Sequence, residues 1–178
     1  EAVPDGTAFF FTFPEQSIHN PNQNHRMHLI LFDDHSWENL LPLTFTMPVG
    51  NLRVGILTIA EKWERRLETR ASYHTQDYLS RKYPLETGKD NLLINGSLLP
   101  REDLKQEILK LKAGEALKQE DVLLAVRLTE DCSADFQADH WLDGAREIER
   151  HLPLVDHPWK IFRMNGDEIQ ADYELLTG

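Results

Sequence analysis

The chain carries a single cysteine, Cys132, in 178 residues. No internal disulfide is available to it, which fits a reducing cytoplasm, and the thiol is read as buried or idle. Nor does any apolar run approach the roughly 18 residues that a membrane-spanning helix requires. Positive charge is scarce: 19 Lys and Arg stand against 30 Asp and Glu, a net charge of −11. A nucleic-acid backbone or an anionic membrane as main partner is disfavoured, because both need a basic face. An anionic substrate would have to be held by a local cluster of cations working against the overall field. The scarcity is sharpest in residues 27–52, which contain no Lys or Arg at all. No Cys or His spacing suits zinc, and the P-loop and Gly-x-Ser-x-Gly patterns are missing. His25 and His28 stand without partners, and there are no repeats or low-complexity tracts.

What is there begins with a foreign-looking stretch. Residues 1–26 are rich in Pro, Asn and Gln and hold one apolar knot around Phe9, Phe10, Phe11 and Phe13. Their acidic start and short apolar stretch do not make a secretory signal. They are expected to form an extension, flexible unless the phenylalanines dock on the body, with the domain itself spanning 27–178. Residues 28–32 form a short apolar strand that breaks into the polar turn Asp33-Asp34-His35-Ser36. A long apolar loop over 40–49 follows, punctuated by Pro42 and Pro48. Then comes a helix, expected to begin near Val54 and Gly55, with Ile56, Ile59, Trp63 and Leu67 at spacings of three and four. Strand, loop and helix in that order open an α/β sheet, where ligands sit beyond the carboxyl ends of the strands. Residues 33–53 are therefore expected to wall any site.

Further along, Thr75 is expected to cap a short helix ending before Pro84, and 91–96 to form a strand with a turn at its end. Residues 101–112 predict a helix with Leu104, Ile108 and Leu111 on one stripe, closed by Gly114. Residues 121–128 predict a central strand, 129–139 an acidic loop or lid, and 141–152 a helix with Ile148 and Leu152 inward. Trp63 is assigned to the core, and Trp141 and Trp159 to packing. Pro158 to Phe162 predicts an extended piece, Asn165-Gly166 a hairpin turn, and Asp172 onward a final helix, with the last unit looking cut short.

Leu40-Leu41-Pro42-Leu43-Thr44 resembles the Leu-x-Pro-Leu-Thr part of the sugar nucleotidyltransferase signature. Three blocks extend the likeness: ILFDD through LLPLTFT to GILTIAEKW, NLLINGSLLP at 91–100, and PWKIFRMNGDEI to ELLTG at 158–178. The chain is similar to a bacterial subgroup of that family, itself like the uridylyltransferase half of the bifunctional enzymes that make UDP-N-acetylglucosamine. The resemblance implies a Rossmann-like nucleotidyltransferase fold: an open, mostly parallel sheet with helices on both faces, incomplete at its C-terminus. In relatives a left-handed β-helix follows, through which a homo-oligomer would form. The implied partners are a nucleoside triphosphate, UTP or dTTP, and a sugar 1-phosphate. The sugar phosphate oxygen attacks the α-phosphorus and pyrophosphate leaves, serving cell-envelope polysaccharide. The implied cofactor is Mg²⁺ on carboxylates.

The residues depart from that pattern at each place where phosphate would be held. Asp33, Asp34, His35 and Trp37 stand at the glycine positions, Asn39 at the signature Arg, and Ser97 at the metal-binding Asp. The alternative function is thus a non-catalytic module that binds a sugar nucleotide or scaffolds a partner. Asp33 and Asp34 either hold Mg²⁺ or cap their own turn. Arg53, the candidate catalytic cation, either meets a phosphate at the next helix start or pairs with Asp33, Asp34 or Glu38. Asn39, Asn95 and Gly96 are candidate nucleotide or sugar contacts, though Asn-Gly is also an ordinary turn pair. Lys62 is expected on a solvated helix face, His35 on the surface, and Trp37 stacks on a base or shields the loop.

Overall fold

The computed structural model describes residues 27–129 and 136–178. Expectations about residues 1–26, about Cys132 and about most of the acidic loop lie outside the described residues. Six strands form one mixed sheet in the order β2-β1-β3-β5-β4-β6. Next to one edge, β1 (His28–Phe32) is parallel to β2 (Ala71–His74) on one side and to β3 (Asn91–Asn95) on the other. The apolar strand His-Leu-Ile-Leu-Phe is buried from Leu29 onward, and β3 is buried throughout, as a parallel strand covered on both faces must be. Beyond β3 the direction reverses: β5 (Val122–Leu128) runs antiparallel to β3 and forms a hairpin with β4 (Ala116–Gln119). The short edge strand β6 (Arg146–Glu147) is parallel to β4. The α/β architecture expected from the opening unit is present, with an antiparallel hairpin set into the sheet. Among the described residues no helix is long and apolar enough to cross a membrane.

One face of the sheet carries Leu29, Leu31, Leu92 and Ile94 against α2 (Ile59–Leu67) and α4 (Glu102–Leu109). The other carries Ile30, Phe32, Leu93 and Val126 against Phe136, Leu85 and the turn around Trp141. Trp63 is fully buried and its indole N–H donates to the Leu98 carbonyl at 2.8 Å. Leu104, Ile108 and Leu111 are buried as the stripe predicted. The two remaining helices that matter near the site, α1 (Ser36–Asn39) and α3 (Asp77–Ser80), are single turns.

Several elements differ from expectation, each for a tertiary reason. Helix α2 starts at Ile59 and not near Gly55, because Thr58 and Glu61 form a reciprocal capping box. Residues 53–58 instead make a tight turn, with Arg53 and Thr58 bridged antiparallel. Thr75 does not cap α3; its hydroxyl donates to Asp33. Residues 141–152 are not helical. Ile148 and Leu152 do face inward, but Ile148 lies just past β6, its N–H donating to the Lys118 carbonyl at 2.8 Å, and the Leu152 N–H donates to the Gln119 side chain at 2.6 Å.

The largest difference is at the end of the chain. Pro158–Thr177 is one continuous helix of 20 residues, α5, with Pro158 in its first turn, a position proline favours. Asn165-Gly166 makes no hairpin. Asn165 instead accepts the Gly55 N–H at 2.9 Å. Two turns further on, Asp172 accepts the Ile56 and Leu57 N–H groups at 2.8 and 3.0 Å. Gly55 lies at φ +86, and a Cβ there would sit 2.6 Å from the Asp172 carboxylate and 2.8 Å from the Glu168 backbone. Only glycine lets the turn come this close to the helix.

Lys62 is the anchor of that contact, not a solvated side chain. Only 2% exposed, it donates to Glu168 at 2.8 Å and also to Asp172. Arg101 adds a second cation to Glu168 at 2.6 Å. Two carboxylates and two cations thus balance, with Lys62, Glu168 and Asp172 buried and Arg101 reaching in from the surface. Removing one partner of such a group is costly, because it strands a buried charge. Lys62→Met is expected to lower the unfolding free energy by about 3–5 kcal/mol in urea denaturation. A loss below about 1 kcal/mol, the range of an exposed pair, would contradict the buried pairing.

Candidate functional site

The site is built at the carboxyl end of β1. A strand that ends against its neighbours leaves backbone donors from the following loops pointing into one corner, and here two adjacent carboxylates meet them. Asp33 accepts the Val49 N–H at 2.9 Å on one oxygen and the Thr75 hydroxyl at 2.5 Å on the other. Asp34 accepts the Ser36 N–H at 2.9 Å on one oxygen and the Asn95 side-chain amide at 2.7 Å on the other. Asp33 therefore ties the loop after α1 to the end of β2, while Asp34 ties the start of α1 to the end of β3.

Asn95 is the hub between strands. Fully buried, it donates to Asp34 and to the Leu123 carbonyl at 3.0 Å, and it accepts the Ser97 N–H and hydroxyl at 2.9 and 2.7 Å. Every polar atom of its side chain is engaged within the fold. Gly96 continues the pairing by donating to the Phe32 carbonyl at 2.8 Å. A Cβ there would lie 3.1 Å from the Gly50 nitrogen and 3.2 Å from that carbonyl. The glycine closes the corner between β1 and the 49–51 turn.

Two open cavities flank this corner. The larger, about 220 Å³, is lined by Asp34, Ser36, Asn39 and Ser97 on one side and by Asp121, Leu123, Asp139 and Asp156 on the other. The smaller, about 170 Å³, lies over Asp33, Asp34, Trp37 and Gln76. His35 borders both. No Lys or Arg lines either one, so among the described lining residues His35 alone can carry positive charge. It is exposed and sits 3.6 Å from Asp139. Asp33, Asp34, Asn39, Asn95 and Gly96 are thus brought together, with Asn39 on the cavity wall and Gly96 behind it. Arg53 is placed elsewhere. Its guanidinium, 58% exposed, donates to the Ile56 carbonyl and lies 3.9 Å from Glu61, within its own turn and across to α2.

Asp121, Asp139 and Asp156 were not among the residues the sequence singled out. Asp121 reaches the cavity because β4 and β5 are joined by a tight hairpin, in which Glu120 takes φ +54. That hairpin carries no Asn-Gly or Asp-Gly signal. Asp156 reaches it because α5 begins at Pro158; it is bonded to Lys160 at 2.7 Å.

The electrostatics follow from burial and crowding. Burial pushes the Asp33 carboxyl up from 3.8 to about 6, opposed by its bonds from Thr75 and Val49 and assisted by the negative charge of Asp34. The donor chemistry also bears on Mg²⁺. All four oxygens of Asp33 and Asp34 already accept hydrogen bonds, and Asp33 prefers its proton at mildly acidic pH. Among the described residues no group of three or more His, Cys, Asp or Glu is placed to hold a metal ion. These residues do not fit a resident Mg²⁺.

Comparison with known proteins agrees with the fold and with the first-strand block. The sugar nucleotidyl transferase family profile matches residues 29–178. The chain belongs to the sugar nucleotidyl transferase family. No curated protein matches it. Among solved structures it is similar to a Bacillus anthracis protein described as a glucose-1-phosphate thymidylyltransferase, solved with sucrose. The two are 12% identical with a TM-score of 0.49, over 81% of this chain and 96% of that one, a likeness too low to bear on activity. Within the sugar nucleotidyl transferase family, then, this member carries an acidic corner whose backbone donors are bound by its own side chains.

The raised Asp33 pKa makes a stability prediction. The folded protein keeps a proton that the unfolded chain releases above about pH 4. Stability is therefore undiminished below that pH, falls as pH rises toward about 6, and levels off beyond. The Asp33 contribution is on the order of 3 kcal/mol or less. Urea unfolding between pH 4 and 7 should show this fall in the wild type and a flatter profile in Asp33→Asn. Identical slopes would contradict the assignment.

Proposed function

We propose that this domain is a non-catalytic module that binds the sugar end of a sugar nucleotide in the cleft beyond β1 and β3. The phosphates would lie at the rim near His35. One observation carries the reading: the N–H groups of Ser36 and Val49, the donors an anion would use in this corner, are held by Asp34 and Asp33. Nucleotidyl transfer needs fixed positive charge or metal where the leaving pyrophosphate forms. A triphosphate brought to this corner would instead face two carboxylates, at a cost of about 4 kcal/mol per unit-charge pair at about 4 Å and an effective dielectric constant of about 20. The sugar itself is uncharged and rich in hydroxyl donors, which carboxylates and Asn39 can accept from or bind.

A second reading is favoured by the family match over residues 29–178. In it the domain transfers a nucleotidyl group from UTP or dTTP to a sugar 1-phosphate and releases pyrophosphate, in the cytoplasm and for cell-envelope polysaccharide. Calorimetry with a UDP-sugar, and separately with UTP or dTTP and Mg²⁺, followed by a pyrophosphate-release assay with a sugar 1-phosphate, separates the two. Binding of the UDP-sugar without pyrophosphate release is expected; release that depends on both substrates would establish transfer. Arg53→Ala tests whether bound phosphate draws that cation away from Glu61. A tenfold loss of nucleotide affinity would bring Arg53 into the site, and unchanged affinity would remove it.

A further inference from the structure

Helix α5 carries a second apolar side. Its inner face is accounted for: Asn165, Glu168 and Asp172 bond to the 55–57 turn, Lys62 and Arg101, while Ile161 and Met164 pack on the core. Trp159, Phe162, Ile169, Tyr173 and Leu176 are instead 42–82% exposed. Trp159 is thus not the packing residue expected from the sequence. Together with Gly166, these residues recur at intervals of three, four, three, four and three. That is the seam of a left-handed helix pair, in which side chains of one helix fill gaps on the other. A surface helix ordinarily turns its single apolar stripe to the core; α5 has this stripe in addition to the face by which it packs.

The glycine is a second, separate observation. Glycine weakens a helix interior, and a Cβ on Gly166 would meet nothing within 4 Å. No contact inside the described fold requires a glycine there. Its effect is to leave a gap at the middle of the seam, which a bulky side chain from another helix can enter.

We propose that two copies of this chain pair through α5, antiparallel, about a two-fold axis between residues 167 and 168. That axis sets Trp159 against Leu176, Phe162 against Tyr173 and Gly166 against Ile169, each contact made twice as a two-fold interface requires. Charge agrees with the direction. Arg163 and Glu174 are exposed on one flank of the seam, about three turns apart, and neither side chain has an ion-pair partner among the described residues. Antiparallel pairing brings Arg163 of each copy beside Glu174 of the other, whereas parallel pairing sets like charges together. The area agrees as well. Aromatic side chains bury about 150–250 Å² each, so a stripe this exposed offers on the order of 500 Å² per copy. Two such faces bury about 1,000 Å², the size at which a specific interface begins. This interface lies within the described domain and differs from the β-helix route that the family resemblance implied.

Sedimentation velocity of the full chain across micromolar concentrations tests the pairing. A reversible dimer of two 20.7 kDa chains is expected. Phe162→Glu, at the most exposed position of the stripe, is expected to weaken dimerisation at least tenfold with the far-UV circular dichroism unchanged. Arg163→Glu is expected to weaken it too, and adding Glu174→Arg to restore it. A wild type that stays monomeric would overturn the proposal, as would a dimer indifferent to both Phe162→Glu and Arg163→Glu. Failure of the charge-swapped pair to restore association would overturn the antiparallel arrangement.

Discussion

Two neighbouring carboxylates at the end of β1 hold this protein's cleft in shape. Each accepts a backbone N–H from the following loop, Ser36 for Asp34 and Val49 for Asp33, and each also binds a side chain from another strand end. In an open α/β sheet the strand ends are where loops diverge and ligands enter. Here the divergence is stitched closed from within. The stitching has a chemical consequence, because the donors it consumes are those that would otherwise cradle an anion. The same two bonds that order the cleft occupy the N–H groups of Ser36 and Val49.

The stretch between α1 and α2 is held in the same manner at its far end. There Asn165 and Asp172 of α5 accept the N–H groups of Gly55, Ile56 and Leu57. The buried cluster of Lys62, Arg101, Glu168 and Asp172 fixes the helix that supplies these acceptors. Acidic side chains therefore pin residues 49–57 from both directions. Charge is neutralised only at the α5 end, by Lys62 and Arg101. At the cleft end no Lys or Arg lines either cavity among the described residues.

Much of the fold could be read from residue patterns, and the failures are instructive. The strands β1, β3 and β5 are continuous apolar runs, and the stripe Leu104, Ile108, Leu111 is periodic, so local sequence and burial agree. The resemblance of three sequence blocks named the family correctly. Local patterns misled where distant partners decide the structure. Asn165-Gly166 has the composition of a turn, but Asn165 is held in a helix by the Gly55 N–H across 110 residues. Lys62 reads as a solvated lysine because its two carboxylate partners lie 106 and 110 residues away. At the site, the clustering of Asp33, Asp34, Asn39, Asn95 and Gly96 followed from their being at adjacent strand ends. The contribution of Asp121 could not be read without knowing that a hairpin brings the start of β5 beside the end of β3. Arg53 was expected near a helix start that a capping box moves four residues further on.

The central claim is that the amides of Ser36 and Val49 are committed to the protein's own carboxylates. The most direct measurement is the backbone amide chemical shift of these two residues during titration with Mg²⁺ and UTP. The account predicts that both resonances stay in place at millimolar nucleotide. Saturating shifts of the two amides together, with the pattern expected for new phosphate acceptors, would contradict it.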